Sequence, residues 1–120
     1  MERSKFKYDL EHYREFITPD ILDGSIRNSI LKHNGTKTQC TIAMEELAEL
    51  TQQISKFVRG EHNHYEFLEE LADVYICLEY LETILGINST ELIHAKWVKL
   101  NQAKEKLEIE ELQNRTSSSR

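Results

Sequence analysis

Proline is nearly missing from this chain: Pro19 is the only one in 120 residues, and glycine occurs just four times, at Gly24, Gly35, Gly60 and Gly86. Little is left to interrupt a helix, and the glycines fall mostly where an apolar period breaks, so an all-α fold is expected. Cysteine is scarce as well. Cys40 and Cys77 sit inside apolar helical patterns without CxxC spacing, which excludes a disulfide framework and fits small apolar residues in a reducing compartment. No uninterrupted apolar stretch reaches membrane-spanning length, and the charged opening, Met1 to Lys7, has no apolar run of signal-peptide type. A cytoplasmic protein without a membrane partner is therefore expected. Basic residues are outnumbered, 15 Lys and Arg against 21 Asp and Glu for a net charge of −6, which argues against a nucleic acid polymer as partner, because such binding neutralises phosphates with many cations.

What remains is a succession of amphipathic helical patterns. Phe6 to Ile17 reads as a short helix; Thr18-Pro19-Asp20 has the cap-then-proline form that begins the next, ending near His33-Asn34-Gly35. Long helices are expected from about Thr38 to Arg59, from Tyr65 to Leu85 and from Ser89 or Thr90 to Leu112, with Ser89, Glu91 and Leu92 giving a partial capping signal. Residues 1–113 are read as one domain and 114–120 as a flexible, polar, serine-rich tail.

Two of these helices carry nearly the same words. Glu45-Glu46-Leu47-Ala48-Glu49-Leu50 returns as Glu69-Glu70-Leu71-Ala72-Asp73-Val74, giving acidic pairs at i, i+3 in both. On a wheel with Glu46 at zero, Phe57, Leu50, Ala43, Ile54, Leu47 and Val58 occupy an arc from about 20° to 120°. With Glu70 at zero, Leu81, Val74, Phe67, Leu85, Leu78 and Leu71 fall at about 20° to 100°, Cys77 beside Glu70 and Asp73 on the shoulder. Both pairs border the apolar stripe, where a carboxylate is costlier than on the opposite face. An antiparallel hairpin through Gly60 to His64 would bring the two shoulders together, and four acids that meet require protons or a hard cation such as Mg2+. Taken singly, each motif is ordinary vocabulary for the solvated face of a helix.

The spacing Glu46-x-x-Glu49, twenty residues, then Glu70-x-x-Asp73, with Glu45 completing an EExxE opening, resembles the signature of MazG-like all-α nucleoside triphosphate pyrophosphohydrolases. The resemblance covers Thr38 to Leu85 well and the last helix more loosely. It implies a helical bundle that forms a homodimer or homotetramer, holds magnesium through Glu46, Glu49, Glu70 and Asp73, and cleaves a nucleotide between its α- and β-phosphates. Such a reaction needs neutralised phosphate oxygens and an activated water, and Glu45, about 40° beyond Glu49, is the candidate to orient or deprotonate it. Lys96, Lys99, Lys104 and Asn101 are the candidates for the phosphates, since the family often carries Lys, then Asn and a further basic residue there; Lys56 and Arg59 are alternatives. Phosphoribosyl-ATP pyrophosphohydrolase and an all-α dUTPase-like enzyme are neighbouring activities, and a non-catalytic helical interaction module is the reading from another class. Glu61-x-x-His64 and Glu91-x-x-His94 have di-iron spacing but lie in a turn and at a helix start, away from the middle of a bundle.

Overall fold

The computed structural model describes residues 2–12 and 20–118, with side chains described for 5–12 and 24–117. Those residues form five helices and no strand: α1 (Glu2–His12), α2 (Asp20–Asn34), α3 (Thr36–Val58), α4 (His64–Leu85) and α5 (Ser89–Ser118). The all-α expectation holds. Residues 13–19, and with them the expected helix end at Ile17 and the Thr18-Pro19 start signal, lie outside the described residues. No described helix is long and apolar enough to cross a membrane.

The contacts divide the chain into two units, Met1–Leu85 and Gly86–Arg120. The first is built on the α3–α4 hairpin, against which α2 packs through α3 and α1 through α4. Its turn has a defined chemistry. Gly60 adopts φ 80°, its N–H bonds to Phe57 O at 3.1 Å and the Glu61 N–H to Lys56 O at 2.8 Å, the paired bonds that close a helix through a left-handed residue. Three residues later Asn63 Oδ1 accepts from the Glu66 N–H at 3.0 Å, capping α4 as asparagine does well. At the other end of α3, Gly35 alone separates α2 from α3: its N–H bonds to Leu31 O and its carbonyl accepts from the Gln39 N–H.

Burial does not follow the apolar stripe as the wheels expect. Among the described residues only Ala43, Val74, Cys77 and Tyr80 of the apolar ones are buried, together with Gln39 at 3% exposure. Leu47, Ile54, Phe57 and Val58 on α3, and Leu78 and Leu85 on α4, are exposed, Val58 at 77%. The cause is where the short helices lie. Arg27 of α2 pairs with Glu79 of α4, Lys7 of α1 stands 5.2 Å from the centre of the Tyr65 ring, and Lys5, Phe6 and Asp9 of α1 share a recess with Glu69. With Glu70 at zero, Tyr80, Glu69, Tyr65 and Glu79 fall at about 280°, 260°, 220° and 180° on the α4 wheel, so α1 and α2 meet α4 on the side away from the 20° to 100° stripe and leave much of that stripe open.

The second unit is α5. Asn88 Oδ1 accepts from the Glu91 N–H at 2.8 Å, so the cap is Asn88 rather than Ser89. The helix runs past the expected end at Leu112 to Ser118, where Thr116 Oγ1 donates to Leu112 O at 3.0 Å. Such back-bonding lets a hydroxyl residue sit within a helix by pairing it with the preceding turn.

Candidate metal centre

Glu46 and Glu49 stand one turn apart on α3, and α4 brings Glu70 across to them: one carboxylate oxygen of each lies within 4.8 Å of the others. Asp73 is not part of this triad; it lies beside Glu46 and within electrostatic reach of Glu49. Two bare charges at such a separation repel by roughly 3–4 kcal/mol at an effective dielectric constant of about 20. The metal-free cluster responds by keeping protons. Burial first, then hydrogen bonding and repulsion from Glu49 and Glu46, push the Glu70 carboxyl up to about 8. Burial raises Glu46 too, helped by the charges of Asp73 and Glu49 and opposed in part by its hydrogen bond with Glu70. Asp73 is raised by burial, with the Glu49 charge adding to it and a hydrogen bond to Glu46 working against it.

Two oxygens of the cluster, Glu46 Oε2 and Glu70 Oε2, are covered yet have no hydrogen-bond partner among the described residues apart from the neighbouring carboxyls themselves. A buried carboxylate oxygen without a donor is costly, so such atoms call for a proton or a cation. The donor set is all oxygen and anionic, which suits a hard divalent ion and not a soft one. These residues therefore fit magnesium, with Glu46, Glu49 and Glu70 as the group already assembled and Asp73 next to it.

The other expected site residues are not members of the triad. Glu45 is exposed and outside the triad. Lys96, Lys99 and Lys104 lie exposed on α5, in the second unit; Lys104 Nζ is 3.8 Å from Glu108, and Asn101 Nδ2 donates to Trp97 O at 2.9 Å within its own helix. Arg59 is engaged at the hairpin turn by Ser55 Oγ at 3.1 Å and Glu61 at 3.3 Å. His62 packs its ring edge-on against Phe57, His64 and Phe67 at the same turn, eight residues before Glu70.

Beside the cluster lies a feature the sequence reading did not isolate. A cavity of about 200 Å³ is walled by Ile30 of α2, Ile42 of α3 and Ile76 and Tyr80 of α4, with Glu46 and Asp73 forming one part of its lining. Asn34 and Gln39 form another part, and Asn34 Nδ2 donates to Gln39 Oε1 across the Gly35 joint. Cys77 lines it as well, its thiol pushed up by burial and then by the Glu46 and Asp73 charges, so it stays protonated. Gln39 did carry a signal: seven residues before Glu46, it is a polar side chain at about 20° on the α3 wheel, inside the apolar arc. Comparisons of the chain with models of protein families, with curated proteins and with solved structures find no match.

Proposed function

We propose that this chain is a magnesium-dependent nucleotide pyrophosphohydrolase of MazG-like type, converting a nucleoside or deoxynucleoside triphosphate and water into a monophosphate, pyrophosphate and a proton. The observation that carries the proposal is the triad of Glu46, Glu49 and Glu70, with its two covered oxygens. In this reading these three carboxylates and Asp73 hold the ion. Bound there, magnesium would neutralise phosphate oxygens and favour the hydroxide form of an attacking water. Glu45, exposed one position before Glu46, is assigned to orient that water or take its proton. The resemblance assigns Lys96, Lys99, Lys104 and Asn101 to the phosphates; one Asn101 Nδ2–H is held by Trp97 O, which leaves the second N–H to donate.

The exposed Leu47, Ile54, Val58, Leu78 and Leu85 support the further reading that the bundle is completed as a homodimer or homotetramer, since so much open apolar surface marks an interface. The same surface is what favours the second reading, a helical interaction module without catalysis.

The test is a panel of nucleoside and deoxynucleoside triphosphates incubated with magnesium and analysed for products, with phosphoribosyl-ATP included. Monophosphate plus pyrophosphate supports the enzyme, and orthophosphate release rewrites the mechanism. No turnover, with a melting curve indifferent to magnesium, leaves the interaction module. Light scattering at working concentration reads the assembly, and full turnover by Glu45→Gln would remove that residue from the chemistry.

A further inference from the structure

We infer that the cavity between α2, α3 and α4 is the subsite for the nucleobase, with the Asn34 and Gln39 carboxamides reading its hydrogen-bonding edge; this rests on the nucleotide reading above. The cavity has two chemically different parts. Glu46 and Asp73 supply the charged groups of its lining, whereas the part formed by Asn34 and Gln39 is polar and neutral. A ligand suited to it has a neutral, hydrogen-bonding end and an anionic end that meets the carboxylates through a cation. A nucleotide has that polarity; a wholly apolar ligand or a free phosphate does not.

The dimensions agree. Gln39 and Glu46 are seven residues apart on α3, about 10 Å along the axis, a separation comparable with that between a nucleobase edge and the first phosphate of its nucleotide. Isoleucine walls at Ile30, Ile42 and Ile76 give a planar heterocycle the apolar faces it needs, and a few placed polar groups fix its orientation. Gln39 is 97% covered by neighbours, at 3% exposure, and a buried carboxamide is retained only where its polar atoms find partners. Its bond with Asn34 uses the Gln39 carbonyl and an Asn34 N–H. The complementary pair, the Gln39 NH2 and the Asn34 carbonyl, matches the adjacent acceptor and donor that a nucleobase edge presents.

The experiment measures binding by calorimetry, in magnesium, of α,β-imido triphosphates carrying each common base and of inorganic tripolyphosphate, which has no base. Wild type is expected to rank the bases and to bind the best nucleotide more tightly than tripolyphosphate. Gln39→Met and Asn34→Leu are each expected to weaken that nucleotide about tenfold relative to tripolyphosphate, the effect of one buried hydrogen bond, and to flatten the ranking. Ile76→Phe, which fills the cavity from its apolar wall, is a third variant with the same expected signature. Equal weakening of nucleotide and tripolyphosphate, or an unchanged base ranking in the variants that melt as folded proteins, overturns the subsite. Base-ranked binding by a wild type that releases no pyrophosphate supports the subsite while removing the hydrolase. Pyrophosphate release indifferent to the base, in wild type and Gln39→Met alike, keeps the hydrolase and overturns the subsite; a wild type that binds no nucleotide overturns both.

Discussion

The α3–α4 hairpin and α5 have similar vocabularies, rich in leucine, glutamate and lysine, but opposite fates. In the hairpin, carboxylates are drawn into a partly covered cluster, and the proton affinities of Glu46, Glu70 and Asp73 rise. In α5, Leu92, Ile93, Trp97, Leu100, Leu107 and Leu112 are all exposed, and the charged residues stand in solvent around them. Charge alone therefore does not make a site. In the hairpin a second helix brings Glu70 across to Glu46 and Glu49, with α2 packed on α3 and α1 on α4.

The sharpest way to break that contrast is to neutralise the cluster. Glu70→Gln is expected to lower turnover and magnesium affinity by at least about 100-fold, since even outer groups around a metal cost about 10- to 100-fold, while stabilising the metal-free protein near neutral pH, because a neutral carboxamide folds without the proton uptake that Glu70 requires. Product assays and magnesium titrations of the melting temperature read the two effects. A variant that melts lower without metal and still binds it would erase the distinction between the regions.

Proton linkage is the next test. Glu70 ionises near 4.5 in the unfolded chain and near 8 when folded, so between those values the folded state holds the extra proton. Metal-free stability should then fall as pH rises through that window and level off above it. Magnesium, which replaces the proton, should stabilise more strongly towards pH 8. Melting temperatures with chelator and with magnesium across this range check the sign, and Glu70→Gln should flatten the slope.

Smaller effects sharpen the comparison at the helix starts. Asn63→Ala removes the α4 cap and is expected to cost about 1 kcal/mol, read as a lowered urea midpoint that weakens magnesium binding with it. The equivalent Asn88→Ala should register mainly as faster amide exchange at the start of α5. Smallest of all, Lys104→Ala removes an exposed pair with Glu108, and its effect on stability should stay within about 0.5 kcal/mol.

Helix boundaries were legible because their signals are local: Gly35, Gly60 and the apolar periods placed α3 and α4 close to where they lie. The acidic repeat was legible for the same reason, since i, i+3 spacing is a property of one helix, and the juxtaposition of Glu46, Glu49 and Glu70 needed only an antiparallel turn. The direction of burial was not. It depends on which side α1 and α2 choose, and neither wheel of α3 nor of α4 contains that choice, so Leu47, Ile54 and Val58 looked like core and are exposed, while Tyr80, well outside the α4 arc, is buried. The caps were readable but overlooked: Asn63 and Asn88 each precede a glutamate by three residues, a form close to the capping box. The extension of α5 to Ser118 escaped because a serine-rich end has low helix propensity, which is a weak guide once a long helix is already propagating.

Gly35 has φ 83° and ψ 164°, a combination open essentially to glycine alone, although an added Cβ there would meet nothing within 4 Å. The joint between α2 and α3 is thus a pivot with a single residue of slack. Ile30 and Asn34 of α2 both line the cavity, so a swing of α2 about this joint would change the cavity's width and load the Arg27–Glu79 pair at mid-helix.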